Sequence, residues 1–389
     1  MSGGSLSRVD LLRWLREEDP IRLEELWREA DRVRREAVGD EIHLRGLLEI
    51  SNHCRLDCLY CGIRAGNASL PRYRMEEKET VASARRAGEL GYGTVVIQSG
   101  DDPAITGPSL ARAVRRIKEE TAGAVTLSIG ERPLEDLAAW RRAGADRYLL
   151  RFETSDRSLY ERVHPAPRGR RSDRIALLGA LRDLGYEVGS GVLIGLPGQS
   201  VESLADDLLL FRELDLDMIG VGPFHPHPDT PLGRGEGPAP AAEPVRNDPV
   251  TACKTIALAR LLCPEANIPS TTALAALGAG ERADALRRGA NVFMPNVTPL
   301  PYRRLYSIYP SKAKVDESDE RIHSEARSIV LSLGRRIGAG RGDRIRRKPT
   351  EKIDGPGSAE RTLHRDGTGA RSPGGFFPGG EGDPRPDQS

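Results

Sequence analysis

Residues 188–223 have the sequence VGSGVLIGLPGQSVESLADDLLLFRELDLDMIGVGP, and this stretch shows most clearly the pattern that the rest of the chain repeats. A short apolar run, Val188–Gly195, precedes an amphipathic stretch, Val201–Glu213, and a second apolar run, Met218–Pro223, follows it. Two short apolar runs separated by a helical stretch are typical of parallel strands joined by a helical crossover. The segment therefore predicts one β–α–β unit.

The same unit repeats on both sides of this segment. The other predicted strands are His43–Ser51, Thr94–Ser99, Val125–Gly130, Arg147–Glu153, Ile268–Thr272 and Val292–Pro295. The other predicted crossover helices are Lys78–Leu90, Leu110–Glu120, Leu134–Ala143, Ser172–Leu184, Pro249–Leu262 and Arg282–Arg288. Eight strands that alternate with helices predict an α/β protein with a (β/α)8 TIM-type barrel, and an open doubly wound sheet is the alternative.

Segments of different character flank the predicted barrel, which we place at residues 43–338. Residues 1–42 are predicted to form an N-terminal helical extension of two pieces with Pro20 between them. Residues 339–389 are rich in Gly, Pro and Arg, have few apolar residues and show no periodicity. Such a segment cannot bury enough apolar surface to fold, so we expect a disordered tail.

Composition excludes several classes of protein. The 389 residues carry 58 Lys and Arg against 57 Asp and Glu, so no basic surplus points to a nucleic-acid partner. The polar N-terminus lacks the apolar core of a signal peptide, and no apolar run is long enough for a membrane span. Three of the five cysteines lie within residues 54–61, which indicates a metal site in a reducing compartment rather than a set of disulfides. We therefore expect a cytoplasmic protein with no membrane or nucleic-acid partner.

The cysteine-rich segment, Cys54-Arg-Leu-Asp-Cys58-Leu-Tyr-Cys61, follows the first predicted strand. Cysteine thiolates are the usual protein ligands of iron–sulfur clusters. Three thiolates on a four-iron cluster would leave one iron open to a substrate or cofactor. A zinc site completed by His53 is the alternative, although no second Cys/His pair follows at zinc spacing.

The CxxxCxxC spacing, with the aromatic Tyr60 before the last cysteine, resembles the signature of the radical S-adenosylmethionine (SAM) superfamily. The resemblance implies a [4Fe–4S] cluster on Cys54, Cys58 and Cys61 and a SAM molecule bound at the open iron. In that superfamily, electron transfer from the cluster cleaves SAM to methionine and a 5′-deoxyadenosyl radical.

Polar residues that could contact SAM follow several predicted strands. SAM needs a cation for its carboxylate and a carboxylate for its ribose hydroxyls, and a barrel places both at the carboxyl ends of its strands. The candidates there are Gln98, Ser99, Asp101, Glu131, Arg151 and Glu153. Each is weak evidence alone, and their shared position on one face strengthens the interpretation.

Further stretches resemble one family of this superfamily, the [FeFe]-hydrogenase maturase family HydE. The most specific is the run GVGPFHPHPDTPL at Gly220–Leu232. The others are Ser51–Arg55, Asn67 with Arg72–Met75, Val96–Pro103, Leu127–Glu131, Ala145–Thr154, Gly195–Gln199, Ile268–Ala273, Asn291–Asn296 and Pro301–Tyr306. The resemblance runs in order from about residue 10 to about residue 340.

The HydE resemblance implies roles for particular residues. Five positions match those where the family contacts SAM, and four match those that line an inner cavity for anionic or carboxylate ligands. The first set is Gln98, Glu153, Arg174, Met294 and Tyr306, and the second is Thr126, Arg147, Thr271 and Thr272. A guanidinium with neighbouring hydroxyls suits a carboxylate, because arginine can donate two parallel hydrogen bonds to it.

The resemblance also implies a reaction and partners. The family acts on an iron carbonyl–cyanide complex that carries cysteine, during assembly of the di-iron subcluster of the hydrogenase H-cluster. Its partners would be a small organometallic or amino-acid-derived substrate and the other hydrogenase maturases, a tyrosine lyase and a GTPase scaffold.

The sequence departs from the family pattern at three places. Asp101 stands where the family usually has Glu, and Phe152 stands where several members have His. No cysteine follows Cys263, so a second cluster in the C-terminal region is not expected.

Other functions compete with this one. Biotin synthase and methylornithine synthase share the barrel and the cysteine motif, but biotin synthase needs more cysteines for its second cluster than the two that remain here. A non-catalytic iron–sulfur scaffold would bind a cluster without cleaving SAM. All three cysteines are present together with Arg151, Glu153 and Arg174, which argues against a decayed site.

Overall fold

Eight parallel strands form the barrel of the computed structural model, which describes residues 6–166, 172–278, 280–310 and 316–345. The strands are β1 (Glu41–Ser51), β2 (Thr94–Ser99), β3 (Ala124–Ser128), β4 (Arg147–Leu149), β5 (Glu187–Ile194), β6 (Met218–Pro223), β7 (Pro269–Ser270) and β8 (Val292–Phe293). Neighbours pair in order from β1 to β6, and β8 lies between β1 and β7. A parallel bridge from Met218 to Asn267 spans the remaining gap between β6 and β7, so the barrel is nearly closed. The predicted TIM-type barrel is confirmed, and the open sheet is not observed.

Helices surround the barrel and cover the outer faces of its strands. They are α1 (Arg8–Arg16), α2 (Pro20–Val38), α3 (Glu77–Glu89), α4 (Gly107–Glu120), α5 (Leu134–Arg142), α6 (Arg157–Val163), α7 (Arg174–Asp183), α8 (Val201–Glu213), α9 (Pro249–Leu262), α10 (Thr272–Ala275), α11 (Glu281–Arg287), α12 (Leu300–Arg303) and α13 (Asp319–Ser332). In α4 the buried apolar residues Leu110, Val114 and Ile117 recur at helical spacing, so one stripe of the helix faces the sheet. This spacing explains why the amphipathic stretches of the sequence fold as crossover helices.

The N-terminal helices begin with side-chain caps. The Ser7 hydroxyl accepts a hydrogen bond from the Asp10 amide and caps α1, while the Asp19 carboxylate accepts one from the Ile21 amide and caps α2. Pro20 is the first residue of α2, a position that needs no amide donor. The two helices pack against α8 and α9, as expected for a helical extension of the barrel.

Two predicted strands are longer than the observed ones. The strand predicted at Arg147–Glu153 pairs continuously only over β4, and beyond it Glu153 adopts a left-handed backbone conformation, with φ of 65°, at an isolated parallel bridge to Val192. The strand predicted at Ile268–Thr272 is shorter because the helix α10 begins at Thr272, with Thr271 at its N-cap position. Both interruptions lie at the carboxyl ends of strands, where TIM barrels place their active sites.

A ninth strand, β9 (Arg336–Ile337), pairs with the start of β1 and leads into residues 339–345. We call residues 336–345 the base segment, because they lie against the amino ends of the barrel strands. Arg341 donates to Asp146, and Arg344 donates to Asp217. Residues 339–345 therefore belong to the folded unit Met1–Arg346, and the predicted boundary at residue 338 is too early. Residues 346–389 lie outside the described residues, and their disorder stays a prediction.

None of the helices in the described part of the chain combines the length and the apolar composition that a membrane crossing requires.

Candidate active site

Cys54, Cys58 and Cys61 lie on the loop that follows β1 and line one cavity of about 230 Å³ at the carboxyl ends of the strands. Cys58 is buried, and the other two are half-buried. Burial raises the pKa of all three thiols, that of Cys61 to about 12. Thiols that bind iron do so as thiolates, so metal binding at this site must displace protons.

The donor set of the cavity suits a cluster rather than a single metal ion. Among the described residues, no three His, Cys, Asp or Glu side chains converge closely enough to share a single metal ion. A four-iron cluster does not require the thiols to converge so closely, because each thiolate binds a different iron atom. Three thiols around one cavity therefore fit a [4Fe–4S] cluster with one iron left open.

Arg72 clamps the ends of the cysteine loop together. Its Nη1 donates to the carbonyls of Asn52 (2.6 Å) and Ile63 (2.7 Å), on either side of the three cysteines. Its Nη2 donates to the carbonyls of Arg64 (2.6 Å) and Asn67 (3.0 Å). A guanidinium that serves four carbonyls fixes where the loop starts and ends.

Two further groups brace the loop from its other sides. Arg55 forms an ion pair with the buried Asp101 (Nε to Oδ1, 2.9 Å). The specific run GVGPFHPHPDTPL contributes the Leu232 amide, which donates to the Leu59 carbonyl (3.1 Å), and His227, which packs against Gly62. The run that carried the HydE resemblance therefore supports the cysteine loop.

Glu153, Arg151 and Arg174 form a charged group on one wall of the same cavity. Arg151 Nη2 lies 3.0 Å from Glu153 Oε2, and burial raises the pKa of Glu153 although Arg151 and Arg174 oppose this. Arg174 donates to Glu131 Oε1 (2.9 Å) and to the Arg151 carbonyl (2.7 Å). It also donates to His164 Nε2 (2.7 Å), since a guanidinium cannot accept a hydrogen bond. The wall thus offers a carboxylate and two cations in fixed positions.

Gln98 and Tyr306 form a hydrogen-bonded pair in the lining of the cavity. Gln98, near the end of β2, donates from Nε2 to the hydroxyl of the buried Tyr306 (3.2 Å). Ser99 also lines the cavity, and its hydroxyl donates to the Gly100 carbonyl (2.7 Å).

The structure brings most predicted site residues together. The cavity lining includes Cys54, Cys58, Tyr60, Cys61, Gln98, Ser99, Arg151, Glu153, Arg174 and Tyr306. The remaining ones are not part of this lining and are Glu131, Met294, Thr126, Arg147, Thr271 and Thr272. Glu131 lies behind the cavity wall, where it accepts a hydrogen bond from Arg174. Met294 is half-buried just after β8.

The predicted substrate residues take three different positions. Thr126 is buried on β3, and its hydroxyl has no hydrogen-bond partner among the described residues. Thr271 donates to the Val221 carbonyl (3.1 Å), and Thr272 accepts from the Tyr309 hydroxyl (3.0 Å). The two threonines thus stand in the wall beside the cavity rather than on its surface.

Arg147 is a correction to the sequence interpretation. It is fully buried at the amino end of β4 and forms ion pairs with Glu187 (2.5 Å) and with Asp343 of the base segment. It also donates to the Thr94 hydroxyl (3.0 Å). The arginine that faces the cavity is Arg151, which lies four residues later and therefore points to the same side of the chain. The substrate role predicted for Arg147 has no support in these contacts.

Comparisons with known proteins agree with this geometry. Residues 48–230 match the model of the radical SAM superfamily. The chain is 46% identical over 323 residues to the [FeFe] hydrogenase maturase subunit HydE of Thermotoga maritima, covering 83% of this chain and 89% of that protein. The chain belongs to the HydE family. It is a radical SAM enzyme, and the family implies a [4Fe–4S] cluster and SAM as its cofactors.

More distant relatives share the architecture. The 3-methylornithine synthase of Methanosarcina acetivorans is 27% identical, over 87% of this chain and 91% of that protein. The crystal structure of methylornithine synthase superposes with a TM-score of 0.75 at 26% identity, covering 86% of this chain and 95% of that one. The lower identity places this HydE-family chain nearer to the maturase than to these synthases.

Some residues of the site were not singled out by sequence reasoning. His225, Tyr309 and Ala273 line the cavity, and Arg72 clamps the cysteine loop. His225 and Arg72 lie within stretches that resemble HydE, so the signal was present, but the sequence alone did not show which side chains point inward.

Proposed function

We propose that this chain matures [FeFe]-hydrogenase by acting on a cysteine-ligated iron carbonyl–cyanide complex during assembly of the H-cluster di-iron subcluster. The observation that supports the proposal most is the single cavity that three thiols share with Arg151, Glu153, Arg174, Gln98 and Tyr306. When bound, the reduced cluster would supply the electron that cleaves SAM to methionine and a 5′-deoxyadenosyl radical.

The chain's own residues would position the cofactor. Glu153 would accept hydrogen bonds from the ribose hydroxyls of SAM, and Arg174 would attract its carboxylate. Arg174 is already held by Glu131 and His164, so it needs little reorganisation when SAM binds. The remaining predicted contacts, Tyr60, Ser99 and Met294, are proposed to complete the SAM site.

Aromatic and hydroxyl side chains of the site would shield the reaction from water and bind the substrate. Tyr306 is buried and Tyr60 is half-buried beside the thiols, and the two rings would restrict the entry of water near the cluster. Exclusion of water limits side reactions of a reactive intermediate. The buried, unpartnered hydroxyl of Thr126 and the threonines Thr271 and Thr272 are proposed to bind the anionic part of the substrate.

Two parts of the proposal concern the cell. We propose that the partners are the other hydrogenase maturases, the tyrosine lyase and the GTPase scaffold, since the relative named above is a maturase subunit. A cytoplasmic location would fit cysteines kept as thiols for cluster assembly.

The decisive experiment measures SAM cleavage and maturation separately. The protein is reconstituted anaerobically with iron and sulfide and given dithionite and SAM, and 5′-deoxyadenosine is quantified by chromatography. We expect its production, and a further stimulation by the cysteine-ligated iron complex. An intact cluster that forms no 5′-deoxyadenosine would favour a scaffold, whereas cleavage without activation of a hydrogenase in a maturation assay would favour another radical SAM reaction.

A further inference from the structure

His225 lies directly after β6 and lines the cavity that also holds the three cysteines. It belongs neither to the cysteine loop nor to the charged wall of Arg151, Glu153 and Arg174. Ala273 and Tyr309, on the other side of the barrel closure, line the cavity beside it. The ring is therefore placed to meet a molecule in the cavity without touching the proposed cluster ligands.

The protonation pattern of the ring follows from one contact. His225 Nε2 lies 2.8 Å from the Ala273 carbonyl oxygen, and a carbonyl can only accept a hydrogen bond. Nε2 must therefore carry the hydrogen, and in the neutral ring Nδ1 keeps its lone pair. Burial lowers the pKa of His225, which favours this neutral form. No hydrogen bond connects Nδ1 to a residue in the part of the chain that the structure describes.

Neighbouring groups hold the ring in this orientation. The Tyr309 ring packs against it, with centroids 5.3 Å apart at an angle of 40°. The Tyr309 hydroxyl in turn donates to Thr272 Oγ1 (3.0 Å), which ties the pair to the amino end of α10. A fixed ring with a lone pair at Nδ1 presents a preorganised hydrogen-bond acceptor.

We propose that His225 is a specificity-determining residue whose Nδ1 accepts a hydrogen bond from an amine or ammonium N–H of the substrate. The inference rests on the proposed function, because it concerns the molecule that this cavity receives. Arg151 supplies a cation to the same cavity, so the two residues together suit the carboxylate and the amine of an amino-acid moiety. A ligand without the N–H would leave the Nδ1 acceptor unpaired when water is displaced.

The test compares two probes that differ in the amine alone, L-cysteine and 3-mercaptopropionate. Binding of each to the reconstituted, SAM-loaded protein is measured anaerobically by calorimetry. We expect the unchanged protein to bind L-cysteine about tenfold more tightly, as one hydrogen bond to a buried acceptor allows. His225→Gln keeps a donor for the Ala273 carbonyl but removes the acceptor at the Nδ1 position, so the preference should disappear.

Two variants serve as controls. His225→Asn places a carbonyl oxygen near the Nδ1 position, and we expect it to keep most of the preference. His323→Gln alters a histidine that lies on α13, bonds Tyr92 (3.0 Å) and does not line the cavity, so it should behave as the unchanged protein. Cluster absorbance is recorded for every variant as a measure of folding, and His225→Phe replaces His225→Gln if the latter loads no cluster.

The outcomes separate the inference from the proposed function. A preference for L-cysteine that survives in cluster-loaded His225→Gln would overturn the inference, and so would the lack of any preference in the unchanged protein. Failure of the proposed function would instead appear as an absence of 5′-deoxyadenosine in the unchanged protein, which the binding comparison does not require.

Discussion

Cys58 carries the most direct prediction at the residue scale. Its side chain is the buried one of the three cysteines, and two thiolates alone cannot hold a four-iron cluster with one open iron. We expect Cys58→Ala to lose the cluster absorbance and most of the iron after reconstitution. Cys263→Ala is the matched control, because this buried thiol lies at the end of α9 and does not line the cavity. Retention of full iron by Cys58→Ala would remove Cys58 from the ligand set.

Arg72 gives a second prediction, which concerns geometry rather than ligation. Arg72→Lys keeps the positive charge, but a lysine ammonium has three donors on one nitrogen and cannot reach four carbonyls in two directions. Loss of two or more hydrogen bonds to buried carbonyls costs about 1–3 kcal/mol each. We expect severalfold less cluster per protein chain and faster loss of the cluster under a chelator.

The control for this variant is Arg86→Lys on the surface of α3. This substitution alters only the ion pairs that Arg86 forms with Glu89 and Glu320. Exposed ion pairs contribute little, so this protein should load its cluster normally. Equal cluster content and chelator resistance in Arg72→Lys would show that the clamp is dispensable.

At the scale of elements, α8 supports the turn that carries Glu153. Asp207 of this helix is buried and accepts hydrogen bonds from the Ser155 amide (2.5 Å) and hydroxyl (2.6 Å). Ser155 lies two residues after Glu153, whose left-handed backbone is costly for a residue other than glycine. The helix therefore helps to hold Glu153, a strained residue of the proposed SAM site, in place.

Asp207 also predicts a pH dependence of stability. Burial raises the pKa of Asp207 to about 7, above the value of 3.8 that applies in the unfolded chain. Between these values the folded state binds the extra proton, so this residue's contribution to stability is lost as pH rises through 7. We expect the titration of Asp207 to lower the free energy of unfolding by about 1 kcal/mol as the pH rises from 6 to 8.

Denaturant unfolding of the anaerobic protein at pH 6 and pH 8 tests this contribution. Asp207→Asn cannot titrate, yet its carbonyl oxygen can still accept from Ser155, so the difference between the two pH values should shrink by that amount. Asp206→Asn is the control, because its carboxylate is half exposed and pairs with Arg8 at the surface. An unchanged pH dependence in Asp207→Asn would contradict the raised pKa.

Elements with strong periodicity were predictable from the sequence. The strands Thr94–Ser99 and Met218–Pro223 and the helices Val201–Glu213 and Pro249–Leu262 have the predicted bounds. The short helices α6, α10 and α12 were missed, because pieces of four to seven residues contain too few turns for a periodic pattern. Such pieces depend on capping and tertiary contacts, as at Asp156, which caps α6. The 14-residue helix α13 was missed as well.

The site could be predicted in part for a similar physical reason. Cys54, Cys58 and Cys61 share one loop, so their spacing alone brings them together. Arg147 and Arg151 both point inward from the same part of the chain, and the sequence does not show which end of the barrel each one reaches. That distinction depends on the base segment, whose Asp343 pairs with Arg147 across 196 residues of sequence.

At the scale of the whole molecule, the base segment closes the amino end of the barrel. Arg45 and Arg147 are buried side by side there, and each makes a hydrogen bond to the segment, through the Gly342 carbonyl (2.9 Å) and the Arg341 carbonyl (3.1 Å) respectively. Two buried guanidinium groups repel each other, and Asp343 compensates part of their charge. The segment is thus part of the fold, although its composition resembles that of the residues after it.

Truncation separates these two parts of the C-terminus. A chain that ends at residue 345 keeps every contact of the base segment, and we expect it to unfold at the same denaturant concentration as the full chain. A chain that ends at residue 335 leaves Arg147 without Asp343 and Asp217 without Arg344. Breaking a buried ion pair by removing one partner costs about 3–5 kcal/mol. Asp343 is half exposed and Arg147 keeps Glu187, so the buried Arg344–Asp217 pair should dominate, and we expect the shorter chain to be less stable by about 3 kcal/mol.

The point variant Asp343→Ala refines this test, because it removes one carboxylate and leaves the backbone of the segment in place. If charge compensation dominates, it should reproduce a large part of the loss seen on truncation at residue 335. If the loss comes from backbone contacts such as the pairing of β9 with β1, Asp343→Ala should be nearly as stable as the full chain. Equal stability of the chains that end at residues 335 and 345 would show that the barrel closes without the segment, and would assign Arg45 and Arg147 a role other than anchoring it.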